Sequence, residues 1–304
     1  MDQPPAALVF DVQRFCLHDG PGVRTTVFLK GCPLSCAWCQ NPEGVSPSPQ
    51  VMFYVERCAG CGACFSVCPE GAVLEEAERR VDFSRCTGCG ACAAACVHGA
   101  LVLAGRKVSP EGLLAEVLAD KDFFRASGGG VTLSGGEPMA QAGFLDAFLP
   151  LANEAGLSLV LETSGACPGE DLARLAPYFD LVYYDIKFMD PGEHRRWVGV
   201  SNERILENFE NLAGHPGLVA RMPVVPGVQD APDNLAALAA FLKRTGHKKI
   251  HLLPYHPLGR AKLSHMAPGR AGTGTFSGDP AKSLASAREA LAALGLRPVV
   301  YQPL

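Results

Sequence analysis

Short apolar runs alternate along this chain with longer stretches in which apolar residues recur every three or four positions. The runs predict strands at 23–30 (VRTTVFLK), 131–134 (VTLS), 157–162 (LSLVLE), 180–186 (DLVYYDI), 218–224 (LVARMPV), 249–253 (KIHLL) and 297–301 (RPVVY). The helical period predicts helices near 110–125, 140–155, 202–213, 231–245 and 280–294. The first has Ser109 as N-cap, Pro110 at the first helical position, and Leu113, Leu114, Val117 and Leu118 along one face. Repeated strand–helix–strand units imply an α/β fold on a parallel sheet, as a barrel, a partial barrel or a doubly wound sheet.

Residues 58–96 break this rhythm. They are rich in cysteine and glycine and read as a small module inserted after the first strand and its loop. The expected division is 1–50 and 106–304 for the two parts of the main domain and 51–105 for the insertion. Residues 264–280, rich in Gly, Pro, Ser and Thr, are expected to form a long surface loop.

Composition narrows the class. The chain has 304 residues, 48% hydrophobic and 19% charged, with a net charge of −4. That is an ordinary globular balance, with no expectation of a nucleic-acid or membrane-surface partner. MDQPPAALVFDVQRF lacks a basic stretch followed by a long apolar one, so no secretory leader is expected. A cytoplasmic monomer is the expectation.

Thirteen cysteines without an export signal argue against a disulfide scaffold, and eleven of them fall in three tight groups. CAGCGACFSVCP and CTGCGACAAAC both follow C-x2-C-x2-C-x3-C, the bacterial ferredoxin run in which the fourth cysteine serves the other cluster. One 4Fe–4S centre is therefore assigned to Cys58, Cys61, Cys64 and Cys96. The second takes Cys86, Cys89, Cys92 and Cys68. A pair of zinc sites would use the same residue type, but two copies of this run favour clusters. Pro69 follows the first run whereas Val97 follows the second, a departure that removes no ligand.

The third group, GCPLSCAWC, holds only Cys32, Cys36 and Cys39. A structural zinc site wants four protein ligands and a disulfide wants two. Three thiolates on a 4Fe–4S cluster leave one iron open for a ligand. The group sits just after the first predicted strand, at the carboxyl end where parallel barrels build their active sites. Polar residues end the later strands as well: Ser134-Gly135-Gly136-Glu137-Pro138, Glu162-Thr163, Asp185-Ile186-Lys187, Arg221 and Tyr255-His256. Polar groups at successive strand ends of one parallel sheet point at one site.

C-x3-C-x-aromatic-C, with Trp38 in the aromatic place, and the GGE turn together resemble the radical S-adenosylmethionine (SAM) enzymes. The resemblance implies a partial (β/α)6 TIM-like barrel carrying an inserted dicluster ferredoxin-like domain. It implies that the open iron is chelated by the amino and carboxylate groups of SAM, with Trp38 beside the adenine. Gly135, Gly136 and Glu137 would meet the SAM amino group, the Glu137 carboxylate as acceptor. Asp185, Lys187, Arg221 and His256 match family positions around SAM, Lys187 offsetting its carboxylate. Glu162 and Thr163 stand where shorter relatives have an Asp-Thr pair at a monovalent-cation site, and the longer Glu puts such a site in doubt.

VFDVQRFCLHDGPGVRTTVFLKGCPLSCAWCQNPE, SGGGVTLSGGEPMAQ, YYDIKFMD, VGVSNERILENF and LLPYHPLGRAK more closely resemble the glycyl radical enzyme activating enzymes, in the subgroup with two extra clusters. The implied chemistry is reductive cleavage of SAM to a 5′-deoxyadenosyl radical, which takes a hydrogen from a glycine Cα of a partner enzyme. The partner would be a glycyl radical enzyme acting on a substrate such as choline, isethionate, glycerol or hydroxyproline. Gln40 and the alanine-rich composition hint at the choline or isethionate type. Asp19, Gly20, Pro21 and Gly22 resemble the motif near which the partner's glycine loop docks, glycines allowing close backbone approach. The two inserted clusters would pass electrons inward from flavodoxin or ferredoxin. Cys16 and Cys167 are expected to be buried free thiols. The rival readings are a radical SAM enzyme with a small-molecule substrate, and a ferredoxin-like electron carrier that would leave the three-cysteine group unused.

Overall fold

A computed structural model describes residues 5–75, 80–269 and 271–301. The strands, in chain order, are β1 (Ala7–Cys16), β2 (Arg24–Leu29), β3 (Gln50–Phe53), β4 (Leu101–Ala104), β5 (Arg106–Val108), β6 (Gly130–Gly135), β7 (Ser158–Thr163), β8 (Leu181–Asp185), β9 (Leu218–Val224), β10 (Lys249–Pro254) and β11 (Arg297–Val300). Nine form one sheet in the order β11-β10-β9-β8-β7-β6-β2-β1-β5. From β2 to β11 every neighbouring pair is parallel, so the sheet is the expected run of six strands extended by β11. All seven strands anticipated from apolar runs are among these. β1 and β5, which continue the sheet by antiparallel pairing, were not anticipated; β1 is apolar at most positions but largely open to solvent beyond Val9, and β5 has only three residues.

Strand alternation gives the sheet two different faces. Val182, Tyr184, Ala220, Met222, Ile250 and Leu252 point into the apolar core, together with Phe144, Leu145, Phe148 and Phe209 from the surrounding helices. The opposite face carries Thr132, Ser134, Glu162, Tyr183, Asp185 and Arg221. A polar inner face on a curved parallel sheet is the precondition for a site inside it.

The helix expected over 110–125 is two, Pro110–Leu118 and Lys121–Ser127. The break has a local cause. Asp120, 1% exposed, turns inward to accept from Arg14 Nε (2.7 Å) and Thr25 Oγ1 (2.7 Å), interactions unavailable from the outer face of a continuous helix. The helices Gly169–Leu175 and Pro191–Val198 were also not anticipated. The second is nonetheless signalled locally, since Asp190 caps it by accepting from Glu193 N (2.7 Å) and Pro191 follows.

The inserted module leaves and rejoins the barrel through the antiparallel pair β3–β4, in which Gln50 faces Ala104 and Phe53 faces Leu101. Its two short helices, Ala63–Ser66 and Ala91–Ala94, each follow a glycine in the left-handed region, Gly62 (φ 77) and Gly90 (φ 81). Identical local geometry in the two copies is what the repeated spacing implies. Among the described residues, no helix is long and apolar enough to cross a membrane.

At the first barrel helix the anticipated cap forms, Ser109 Oγ accepting from Gly112 N at 3.0 Å. Ser109→Ala should cost about 0.5–2 kcal/mol of stability, read as a lowered midpoint in anaerobic urea unfolding, with cluster content unchanged.

Candidate active site

The loop from Gly31 to Cys39 is held by its backbone. Gly31 N donates to Gly44 O (2.8 Å) and Cys32 N to Val45 O (3.0 Å). Ser35 N donates to Val198 O (2.8 Å) and Ala37 N to Trp197 O (2.9 Å), tying the loop to the end of the helix Pro191–Val198. From the other side, Gly272 N donates to Cys36 O (2.9 Å) and Gly274 N to Ala37 O (2.7 Å). Part of the segment expected to be a surface loop is thus a brace: Ala271 and Gly272 are buried on the cysteine loop, while Arg270 lies outside the described residues. Glycine is required for another close approach, since a methyl group on Gly259 would lie 2.0 Å from the Cys39 carbonyl oxygen. Ser35, Val198, Gly259, Gly272 and Gly274 were missed as site residues. The only signal for them was the family-like VGVSN and LLPYHPLG stretches that contain some of them.

Held this way, Cys32, Cys36 and Cys39 line one cavity of about 630 Å³. Trp38, Ser134, Gly135, Gly136, Glu162, Asp185, Lys187, Arg221, Tyr255 and His256 line it too, as do His18, Asp19 and Tyr301. The strand ends therefore converge as their sequence positions suggested. Trp38 is buried, its ring 6.0 Å from that of Phe188, and His256 stands exposed at the rim.

Strand register builds a row of ions across this cavity. β8 pairs with β9 so that Asp185 lies beside Arg221. Arg221 Nε donates to Asp185 Oδ1 (2.7 Å) and its Nη1 to Glu162 Oε1 (2.6 Å). Ser134 Oγ donates to Glu162 Oε2 (2.7 Å), and Lys187 Nζ to Asp185 Oδ2 (3.2 Å). Burial by itself would raise the Asp185 carboxyl, but the charges of Arg221 and Lys187 outweigh it and hold it below its ordinary value. Lys187 is buried as well, yet Asp185 and the nearby thiols keep its pKa above normal. Both oxygens of Glu162 are engaged within this row.

Glu137, expected to accept from the SAM amino group, is engaged within the protein. It is fully buried and does not line the cavity. Its Oε1 accepts from Met139 N (3.2 Å) and Thr163 Oγ1 (2.7 Å), and its Oε2 from Ser164 N (2.8 Å) and Ser164 Oγ (2.6 Å). Burial pushes its pKa up, and these donors oppose that push. The carboxylate therefore locks the end of β6 to the end of β7, and Gly135 and Gly136 are the members of the turn that face the cavity. Gly136 also must be small: a methyl group there would lie 2.5 Å from Gly44 O and 2.6 Å from Gly31 O, on the cysteine loop itself.

The Asp19–Gly22 strip is placed differently from its four-residue motif. Asp19 reaches the cavity wall, fixed by Thr26 Oγ1 (2.5 Å) on its carboxylate and Thr132 Oγ1 (2.7 Å) on its carbonyl. The close backbone approach at Gly22 is internal, since a methyl group there would lie 2.4 Å from Gly129 N. Cys167 is buried as expected, which pushes its thiol up to about 12, whereas Cys16 is only half-buried.

In the module, Cys58, Cys61, Cys64 and Cys96 line one small cavity, and Cys68, Cys86, Cys89 and Cys92 line another. The exchange of fourth cysteines between the two runs is thus visible as geometry. All thirteen cysteines are free thiols. Among the described residues, no three Cys, His, Asp or Glu side chains are set to hold a single metal ion; the cysteines ring spaces instead.

The barrel cysteines fit a bound cluster on their own chemistry. Burial pushes all three thiols up, Cys39 to about 12, so a cationic iron centre is what would hold them as thiolates. The cavity beside them is of the size that encloses a cofactor-sized ligand.

Comparison with known proteins agrees with this architecture. The model of the radical SAM superfamily matches residues 83–252, a 4Fe-4S dicluster domain matches 50–97, and a 4Fe-4S single cluster domain matches 18–60. The isethionate sulfite-lyase activating enzyme of Desulfovibrio desulfuricans is 39% identical over 86% of this chain and 87% of its own. The trans-4-hydroxy-L-proline dehydratase activating enzyme of Clostridioides difficile is 41% identical over 84% of this chain and 86% of its own. The structure of Streptococcus suis SuiB bound to precursor peptide SuiA superposes with a TM-score of 0.51, over 89% of this chain and 46% of that one. At 10% identity it speaks to the fold alone.

The Glu137 arrangement yields a test that separates a strut from a ligand contact. Glu137→Gln turns an amide N–H₂ toward at least one buried donor, so the SAM-free chain should lose about 1–3 kcal/mol in urea unfolding. A carboxylate whose only work was to bind SAM would leave the SAM-free stability unchanged.

Proposed function

The chain belongs to the radical SAM superfamily, among the activating enzymes of glycyl radical enzymes, and we propose that Cys32, Cys36 and Cys39 hold its SAM-cleaving 4Fe–4S cluster. The observation that carries this reading is the shared cavity: three buried sulfurs on one wall, the Glu162–Arg221–Asp185–Lys187 row on another, and room between them. When bound, the cluster and SAM supply the chemistry, a one-electron cleavage to methionine and a 5′-deoxyadenosyl radical that takes hydrogen from a glycine Cα of the partner enzyme.

The chain's own residues position and enclose. The backbone of Gly135 and Gly136 offers carbonyl groups toward the SAM amino group. Lys187, with its charge secured by Asp185, stands ready for the SAM carboxylate. Trp38 supplies an apolar wall beside the adenine. Arg221 is bonded to both Glu162 and Asp185, so the row remains fixed before SAM arrives and little reorganisation is needed on binding. Asp19, at the far wall, is the residue of its strip that can meet the partner's glycine-bearing loop.

Two further 4Fe–4S clusters in the module, on the ligand sets given above, bring the proposed total to three. An external one-electron donor such as flavodoxin or ferredoxin would supply the electron, in the reducing cytoplasm that so many free thiols suit. The target is a glycyl radical enzyme. Relatives named for an isethionate lyase and for a hydroxyproline dehydratase stand at nearly equal identity, 39% and 41%. The target is therefore best found by a panel.

Anaerobic reconstitution should give about twelve irons per chain, and Cys36→Ala about eight. The variant should lose 5′-deoxyadenosine formation while the module's cluster signals persist. Incubation with choline, isethionate, glycerol and hydroxyproline glycyl radical enzymes should produce a glycyl radical signal with one of them. SAM cleavage stimulated by small molecules, with no radical on any of these proteins, would turn the reading to a small-molecule enzyme.

A further inference from the structure

The module's two cysteine runs are equal in sequence spacing and unequal in surroundings. In the first run, Ala59, Gly60 and Cys61 are exposed, and a methyl group on Gly60 would meet nothing within 4 Å. The cluster set Cys58, Cys61, Cys64 and Cys96 is flanked by exposed apolar side chains. Val55, 48% exposed, accepts a backbone hydrogen bond from Cys58 N, and Val97, 87% exposed, follows Cys96 of the second run. In the second run the matching glycine is buried. A methyl group on Gly88 would lie 2.3 Å from the carbonyl oxygen of Pro49, and Gly90 packs on Leu103. Cys92 is buried as well, although Cys89 is exposed.

Pro49 belongs to the stretch that joins the barrel's cysteine loop to the module. Within that stretch Val45 O accepts from Cys32 N (3.0 Å), and Pro47 lies against Gly31. The buried Lys30 donates to the Glu43 carbonyl and to Gln50 Oε1 (3.4 Å), fastening both ends of it to β2. Val51, next to this stretch, lines the cavity of the second cysteine set, whereas Phe53 and Leu101 line that of the first, where Phe53 N donates to His265 O (2.7 Å).

We infer that the module has a direction: electrons enter at the cluster set Cys58, Cys61, Cys64 and Cys96, pass to the set Cys68, Cys86, Cys89 and Cys92, and reach the SAM cluster across Val45–Gln50. This rests on the three-cluster reading above. One electron leaves the donor, which is oxidised by one electron. It moves through each centre in turn without a proton or a bond changing, until it is spent on the C–S bond of SAM. Tunnelling falls steeply with distance, so the set whose ligand loop touches the barrel's connecting stretch must be the last step. The exposed rim of Val55, Gly60, Cys61 and Val97 is the docking face for the donor, a small patch of the kind used by transient redox partners.

A pair of glycine variants isolates the contact in the full chain. Gly60→Ala and Gly88→Ala impose the same left-handed backbone strain, φ 69 and φ 70, but only the second drives a methyl group into Pro49. With reduced flavodoxin as donor, freeze-quench electron paramagnetic resonance follows the SAM-cluster signal. The expected result is a marked slowing in Gly88→Ala, with the module's signals still appearing at the wild-type rate, and no slowing in Gly60→Ala. Should Gly88→Ala fail to fold, Cys89→Ser and Cys61→Ser carry the test: the first should leave the Cys58 set reducible and the SAM cluster oxidised, and the second should slow reduction of both remaining centres. A SAM cluster reduced at the wild-type rate in Gly88→Ala or Cys89→Ser overturns the direction while three clusters stand. A wild-type iron count near eight overturns the cluster reading beneath it.

Discussion

Everything in the site depends on a loop that must be rigid without using its side chains. Cys32, Cys36 and Cys39 have to keep their sulfurs for a ligand, so the loop bearing them is fixed through its amides and carbonyls. Gly44, Val45, Trp197, Val198, Gly272 and Gly274 each supply a backbone partner, and Glu137 N donates to Gly31 O (2.8 Å). These partners come from segments far apart in the chain. Some approaches are possible only where a side chain is absent: a methyl group on Gly136, Gly259 or Gly274 would lie 2.5, 2.0 or 2.7 Å from a carbonyl oxygen, which explains glycine there better than flexibility would. A loop so held presents its thiols in one arrangement before any ligand arrives, at the cost of burying them where they do not readily ionise.

The ion row is the second constraint, and it follows from the first. On the proposed reading, three cluster-bound thiolates and the SAM carboxylate would concentrate negative charge at one end of the cavity. Lys187 and Arg221 answer it, but buried cations are tolerable only when paired and hydrogen-bonded. Asp185 serves both, and Glu162 takes the remaining face of Arg221. The row is therefore neutral within itself and directional toward the cavity. Removing Arg221 would leave Glu162 without its cationic partner and Asp185 with Lys187 alone. The same logic separates Glu162 from Glu137, two glutamates near the ends of adjacent strands: one is turned to the cavity by Arg221, the other away from it by the hydroxyl and amide of Ser164.

The inserted module obeys a different economy. Its two copies need little core of their own, because glycine and alanine between the cysteines leave the interior to the clusters. What distinguishes the copies is how their ligand loops are packed: Gly88 lies on the carbonyl oxygen of Pro49, whereas a side chain on Gly60 would meet nothing within 4 Å.

Much of this was readable in the chain alone. Apolar runs marked the seven parallel strands, because a strand covered on both faces by protein needs little polarity until its end. Cysteine spacing marked the cluster ligands, because ligand geometry is largely local: C-x2-C-x2-C sets three donors around one centre, and the fourth cysteine of each run serves the other centre. Ser109 announced its helix through a bond made within one turn, whereas the helix capped by Asp190 went unread. Other features belonged to the tertiary structure. The antiparallel strands β1 and β5 were set beside β2 only by the fold. The glutamate of the GGE turn looked like a ligand residue, and only the approach of Thr163 and Ser164 made it a strut. Gly272 and Gly274 lie more than two hundred residues from the loop they brace. Local chemistry could thus be read from spacing, while side-chain direction and backbone-to-backbone contact were decided by which distant segments the fold brought together.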